Sequence, residues 1–206
     1  MLELSELQHD ALVEIFNIGV GHAAKAMSEI VNEPVTMSVP SISFLNRSNA
    51  AAMLGNKDSA RVCGVSQHYQ GAFSTEAILM FPEDKSLDIV RLMVGESVPL
   101  KELTEMEQEA MSEIGNIILN SCVGTLANVL SQELSGSLPE YHVGTSDEIL
   151  HATGTLADAV VLMLHIDFIL ETHQIHGYVA FILDLTALHD LTEQIDLYLA
   201  KAMGTA

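Results

Sequence analysis

Basic residues are scarce: the 206-residue chain has 8 Lys and Arg against 28 Asp and Glu, a formal charge of −20. Such a surface repels phosphate backbones and anionic membranes, which excludes nucleic-acid binding and fits a basic partner or substrate better. Cysteine is scarce too. Cys63 and Cys122 lie far apart and form no CxxC, so they read as buried thiols in a reducing compartment rather than as ligands or a bridge. Long apolar runs are missing. The longest, AVVLMLHIDFIL at 159–170, is broken by His165 and Asp167 and falls short of the roughly 20 residues that span a bilayer. The first residues, MLELSELQHD, carry acids where a signal peptide has its basic region, so the cytoplasm is the expected location. The chain has no low-complexity segment, no Pro/Gly/Ser-rich linker and no G-x-S-x-G nucleophile motif. The glycines of GVGHAA at 19–24 sit inside a helical pattern, not between a strand and a helix. They read as close helix packing rather than a phosphate loop.

Apolar residues make up 49% of the chain and charged residues only 17%, a balance that folds. The length allows one substantial core or two small ones. An internal repeat organises it. Positions 99 apart carry matching chemistry: Ser5 and Thr104, Gln8 and Glu107, Asp10 and Glu109, Glu14 and Glu113, Asn17 and Asn116, Pro40 and Pro139. The first two pairs have the form of capping boxes, in which a Ser or Thr oxygen takes a free backbone N–H and a Gln or Glu three residues on reaches back. Two long helices are therefore predicted to start near 5 and 104.

Beyond each helix the pattern turns to β-branched apolar runs bounded by Pro and Gly. These predict strands near 35–46, 61–69 and 74–81, then 139–145, 157–170 and 175–184. Short helical turns follow the first strand of each half, NRSNAAAML and TSDEILHA, and closing helices are expected over 83–95 and 187–202. Gly71 and Gly177 suit the two hairpins, the second with the longer connection, and GESVPLKEL at 95–103 joins the halves. Two helices cannot cover both faces of a three-stranded sheet. The expectation is therefore an α/β fold of the α+β type, in which two pseudo-symmetric α-β-β-β-α halves share one mainly antiparallel sheet. That makes residues 1–206 a single domain of two repeats, about 1–100 and 101–206.

At about 100° per residue, Asp10, Glu14 and Asn17 fall on one face of the first helix, while Leu12, Phe16, Gly19, Ala23, Met27 and Ile30 fall on the other. In the second helix Met111, Gly115, Ile118, Cys122, Leu126 and Val129 form the equivalent stripe, leaving Glu113 and Asn116 outside. Both acid–amide pairs are expected to be exposed. A Glu and an Asn three residues apart are ordinary surface residues in a single copy. Their repetition leaves ancestry and use both open. Asn is a mediocre helix former that a solvent-facing position does not require for stability.

The pattern D/S-x3-E-x2-N, then 22 residues and a Pro, is carried by DALVEIFN ending at Asn17 with Pro40 and by EAMSEIGN ending at Asn116 with Pro139. In this it resembles the CheC/CheX/FliY phosphatases, which dephosphorylate the chemotaxis response regulator CheY. Two motif copies in about 200 residues are similar to CheC-type members rather than to the shorter, single-copy CheX. Glu109 departs from the family's Asp or Ser. The resemblance implies an aspartyl-phosphate substrate on another protein, with Mg²⁺ held by that substrate and no cofactor or metal of the enzyme's own. An Asn amide, with two donors and an acceptor, would hold a water in line with the P–O bond, so that the gain is orientation. By the resemblance Asn17 and Asn116 position water, while Glu14 and Glu113 dock against the receiver's active-site Lys. The implied partners are a phosphorylated CheY-like response regulator and, in many relatives, the deamidase CheD.

A rival reading is a noncatalytic binding module, since the flagellar switch protein FliM shares the fold without the catalytic residues; retention of both Glu/Asn pairs argues against it. Other chemistry is weaker. His173 and His176 form an HxxH on the expected second hairpin, without an evident third ligand. The ten Met residues read as core filler.

Overall fold

In a computed structural model the described residues are 4–54, 61–94, 99–152, 159–170 and 173–204. The first half runs α1 (Glu6–Val31), β1 (Val35–Asn46), α2 (Arg47–Leu54), β2 (Arg61–Gly71), β3 (Thr75–Pro82) and α3 (Glu83–Val94). The second runs α4 (Leu100–Leu130), β4 (Leu134–Gly136), β5 (Glu140–Thr145), α5 (Ser146–Ala152), β6 (Val160–Leu170), β7 (His173–Leu183) and α6 (Leu185–Ala202).

All seven strands join one sheet in the order β1-β6-β7-β3-β2-β4, with β5 also on β2, and every pairing is antiparallel. The order is unchanged when the halves are exchanged. β3 and β7 meet at the centre, β1 of the first half pairs with β6 of the second, and β5 of the second pairs with β2 of the first. The two halves are thus interleaved, as the pseudo-two-fold expectation requires.

Strand alternation divides the core between the two faces. One face, carrying Cys63, Val65, Leu79, Phe81, Leu164, Ile166, Phe168 and Val179, packs under α1, α3, α4 and α6. Burial of each large aliphatic side chain there contributes about 1.5–3 kcal/mol. The other face has a smaller cluster, where Ala50 and Ala51 of α2 and Ile149 and Leu150 of α5 cover Val62, Ile78, Met80, Val161, Met163 and Ile182. Those short helices cover only part of it, and β6 shows where they stop. VVLML at 160–164 is continuously apolar, and then polar His165 and Asp167 alternate with buried Ile166 and Phe168.

Helix α1 begins as predicted: the Ser5 hydroxyl accepts from Gln8 N–H and the Gln8 side chain accepts from Ser5 N–H. The second box is corrected. Helix α4 starts at Leu100, with Pro99 at the N-cap and no side-chain cap, so Thr104 lies inside the helix. The run LKEL consists of good helix formers that carry the helix back to the proline. Glu107 instead accepts from Ser86 of α3 and from Tyr141 of β5, tying α4 to both.

Four smaller points differ from the sequence reading. Gly177 is not in a turn. It lies inside β7 opposite Ile166, where a Cβ would stand 2.4 Å from the Phe81 ring. The second connection is shorter than the first: β6 ends at Leu170 and β7 starts at His173, and residues 171–172 are outside the described set, as are 95–98 of the expected linker. Strand β4 was not anticipated. In GVGHAA, Gly19 does mediate close packing, since a Cβ would lie 2.9 Å from Cys122 Cα of α4, whereas Gly21 has open space. Ile30, assigned to the core stripe, is 49% exposed.

Candidate functional site

Helix α1 lies against β1 at one end of the sheet, and α4 lies against β2 toward the other. Gly115 permits the second contact, because a Cβ there would fall 2.4 Å from Val65 Cγ1. Glu14 and Glu113 are exposed, as are Asp10 and Glu109. Asn17 and Asn116 are half-buried rather than fully exposed. Each turns its carboxamide toward the neighbouring strand, and the two do so differently.

In the first copy Pro40 offers no N–H to the ladder, and the β1–β6 register skips from Ser38 to Ser41. Val39 falls in that skip and has no register partner on β6. Asn17 supplies one. Its Oδ1 accepts from Val39 N–H at 2.9 Å, and its Nδ2 donates to Val13 O at 2.9 Å and to Val39 O at 3.4 Å. Donor and acceptor are both used by the chain's own fold. The spacing from Asn17 to Pro40 therefore has a structural cause, a bulge and the side chain that satisfies it.

In the second copy Pro139 also interrupts the ladder, between β4 and β5, but Leu138, the counterpart of Val39, is 85% exposed and makes no bond to the amide. Asn116 Oδ1 accepts from Gln67 Nε2 at 3.2 Å and from Asn120 Nδ2 at 2.6 Å. Gln67 Nε2 also donates to Ser137 O at 2.9 Å, and the Tyr69 hydroxyl lies 3.1 Å from both Gln67 Oε1 and Asn120 Oδ1. Burial raises the Tyr69 phenol well above its ordinary pKa, so it stays a neutral donor in this network. Among the described residues Asn116 Nδ2 has no hydrogen-bond partner. A groove of ≈ 710 Å³ along α4 is lined by Glu113, Glu109, Met106, Met93 and Pro139, with Asn116 outside its lining.

Sequence reasoning missed this network. At the offset of 99, Gln67, Tyr69 and Asn120 correspond to Ile166, Phe168 and Gly21, so the first copy has no polar counterpart. A signal was present: the alternation Cys63, Val65, Gln67, Tyr69 points an amide into the helix-covered face, and Asn120 lies one turn beyond Asn116. The cysteines are free and buried, and burial pushes each thiol up to about 12. Neither takes part in either site.

Fold and sites together define a class: a twofold-repeat α+β protein whose two long helices each carry a Glu and an Asn one turn apart. The CheC-like family's model matches residues 7–44. The CheY-P phosphatase CheC of Bacillus subtilis is 29% identical over 140 residues, 66% of each chain. The flagellar motor switch phosphatase FliY of the same organism is 27% identical over 139 residues, 66% of this chain and 36% of FliY. The matches thus span just under two thirds of CheC and about a third of FliY. Among solved structures, Thermotoga maritima FliY superimposes with a TM-score of 0.77 at 19% identity, covering 96% of this chain and 100% of that one. A CheX-CheY-BeF3-Mg²⁺ complex from Borrelia burgdorferi gives 0.51 at 16%, covering 84% and 97%. The resemblance to CheC and FliY is shown by these matches, and the fold is that of FliY and CheX. No described helix is long and apolar enough to cross a membrane.

Proposed function

We propose that this chain hydrolyses the aspartyl phosphate of a CheY-like receiver domain, that Asn116 and Asn17 orient the attacking water, and that Glu113 and Glu14 dock against the receiver's Lys. The observation that carries the reading is the second pair: Glu113 is exposed and lines an open groove, and one turn away Asn116 holds an Nδ2 that no described residue engages. Its carbonyl is anchored by two donors, which fixes the amide plane. A preset donor needs little reorganisation when a phosphoryl group and water arrive. The catalyst moves no proton and forms no covalent bond, and the Mg²⁺ belongs to the receiver as part of the substrate. The charge of −20 favours approach of a basic active-site residue. Relatives that carry the name CheY-P phosphatase support the same reading.

The two copies contribute unequally. Asn17 must break bonds to Val39 before it can meet a ligand, whereas Asn116 need not. Turnover should therefore fall by about a hundredfold or more in Asn116→Ala and by less in Asn17→Ala, while Glu113→Ala should weaken binding and turnover together. The assay mixes the chain with a receiver phosphorylated by acetyl phosphate in Mg²⁺ and follows loss of phosphoprotein. Unchanged hydrolysis by the double Asn variant overturns the assignment. Binding without acceleration by the unaltered chain supports the noncatalytic module instead.

A further inference from the structure

The uncovered part of the second sheet face carries a group that neither acid–amide pair uses. Asp167 of β6 and His176 of β7 are facing partners in the ladder, with His176 Nδ1 2.6 Å from Asp167 Oδ1. His165, two residues before Asp167 on the same face, brings Nε2 to 3.7 Å from the same oxygen. One donor atom from each of the three side chains lies within 4.8 Å of the others, and among the described residues no other such cluster of three occurs. This grouping differs from the weakly supported HxxH pair of the sequence. His176 finds its companions across the strand pair, and the side chain of His173 lies outside the described set.

We propose that His165, Asp167 and His176 form a binding site for a divalent late transition metal such as Zn²⁺. Two imidazoles and one carboxylate are a donor set that this class accepts, at about 2.0–2.2 Å per bond, with a remaining position for water. Bonds of that length in a tetrahedron set donors roughly 3.3 Å apart. The 2.6 and 3.7 Å spacings bracket this value, and χ rotations of the half-exposed His176 cover the difference. The frame is preformed. β6 is hydrogen-bonded on both edges, to β1 and β7, and the His165 ring is stacked on Tyr178 with centroids 5.1 Å apart. The acidic chain concentrates cations at its surface.

The repeat provides an internal control. At the corresponding place in the first half, His68 faces Glu76 across β2 and β3, an equivalent His–carboxylate pair 3.3 Å apart. There the position matching His165 is Ser66, whose hydroxyl is bonded to His142. The first half thus keeps the pair and lacks the third donor.

The test is isothermal titration of the purified, chelator-treated chain with Zn²⁺ alone, alongside His165→Ala, His176→Ala and His68→Ala, with thermal melting in the presence and absence of Zn²⁺. The expected result is one saturable site. Affinity should fall by about tenfold or more in His165→Ala and His176→Ala, stay unchanged in His68→Ala, and Zn²⁺ should raise the melting temperature only where the triad is intact. Asp167→Asn, which keeps shape and packing, should weaken binding as the alanines do. Melting curves with chelator identify any variant that fails to fold. Absence of saturable binding, or equal affinity in His165→Ala and His68→Ala, overturns the site. None of these readouts depends on phosphatase activity.

Discussion

Replacing Asn17 by Ala should destabilise the protein far more than replacing Asn116. Val39 is 2% exposed and falls in the register skip between Ser38 and Ser41, where its N–H donates to Asn17 Oδ1 and its C=O accepts from Asn17 Nδ2. A buried donor left unsatisfied costs about 1–3 kcal/mol, with a smaller loss at the carbonyl, whose bond is long. The better helix propensity of Ala returns about 0.5 kcal/mol. The net loss is about 1–3 kcal/mol, which for a chain of this size lowers the melting temperature by about 2–12 °C. In Asn116→Ala, Gln67 keeps its bond to Ser137 O and the exposed Asn120 turns to water, so the net change stays within about 0.5 kcal/mol. Urea denaturation followed by circular dichroism measures both, and Asn17→Asp, which retains the acceptor and loses the donor, should fall between. Equal losses at the two positions, or a loss under about 0.5 kcal/mol for Asn17→Ala, would refute the clamp.

Gly115→Ala places a Cβ 2.4 Å from Val65 Cγ1 and should cost about 1–3 kcal/mol; Val65→Ala in the same chain should recover part of it, a coupling that a double-mutant cycle reads directly. Ser5→Ala removes a complete capping box and should cost about 1 kcal/mol in thermal or urea melts. Cys63 and Cys122 should resist a thiol reagent at pH 8 until the chain unfolds, because burial holds both thiols protonated up to about 12. Their ordinary value is near 9, so these thiols leave stability unaffected below that pH; above it the unfolded thiols ionise first, and each should lower stability progressively as the pH rises toward about 12. Double Cys→Ala substitution should flatten that alkaline slope in pH-dependent melts.

Most of the scaffold was legible because its signals are local. The Ser5–Gln8 box fixed the start of α1, and the β-branched runs placed β1 at Val35–Asn46. The tertiary consequences of prolines were less legible. Pro99 allowed α4 to begin a turn before Thr104, and Pro139 separated a short β4 from β5. Helical periodicity put both Asn residues outward, on the correct side of their helices, but it carries no information on a strand rising beside them. What Asn17 touches is decided by a bulge in β1, and what Asn116 touches by Gln67 of β2, a residue 49 positions away. The metal-binding triad was hidden for the same reason, since His165 and Asp167 are separated from His176 by a hairpin whose register sequence periodicity does not set.

The repeat itself weighs differently once the contacts are known. Three of its six matched pairs have parted in role. Ser5 and Gln8 cap a helix while Thr104 and Glu107 do not, and Asn17 ties down a bulge while its counterpart leaves the strand alone. Matched residues therefore record common descent first, and a shared task has to be argued copy by copy. Retention of Asn17 is explained by Val39 without any ligand. Retention of Asn116 is not, because its removal would leave no buried backbone group unsatisfied, and Gln67, Tyr69 and Asn120 hold polar groups around it where the first copy has Ile166, Phe168 and Gly21. Burying Gln67 and Tyr69 beneath a helix costs desolvation that the apolar alternatives of the other copy avoid. A network kept at that cost around an amide with a free donor is what a working site requires, and it directs the phosphatase test to Asn116 and Glu113 first.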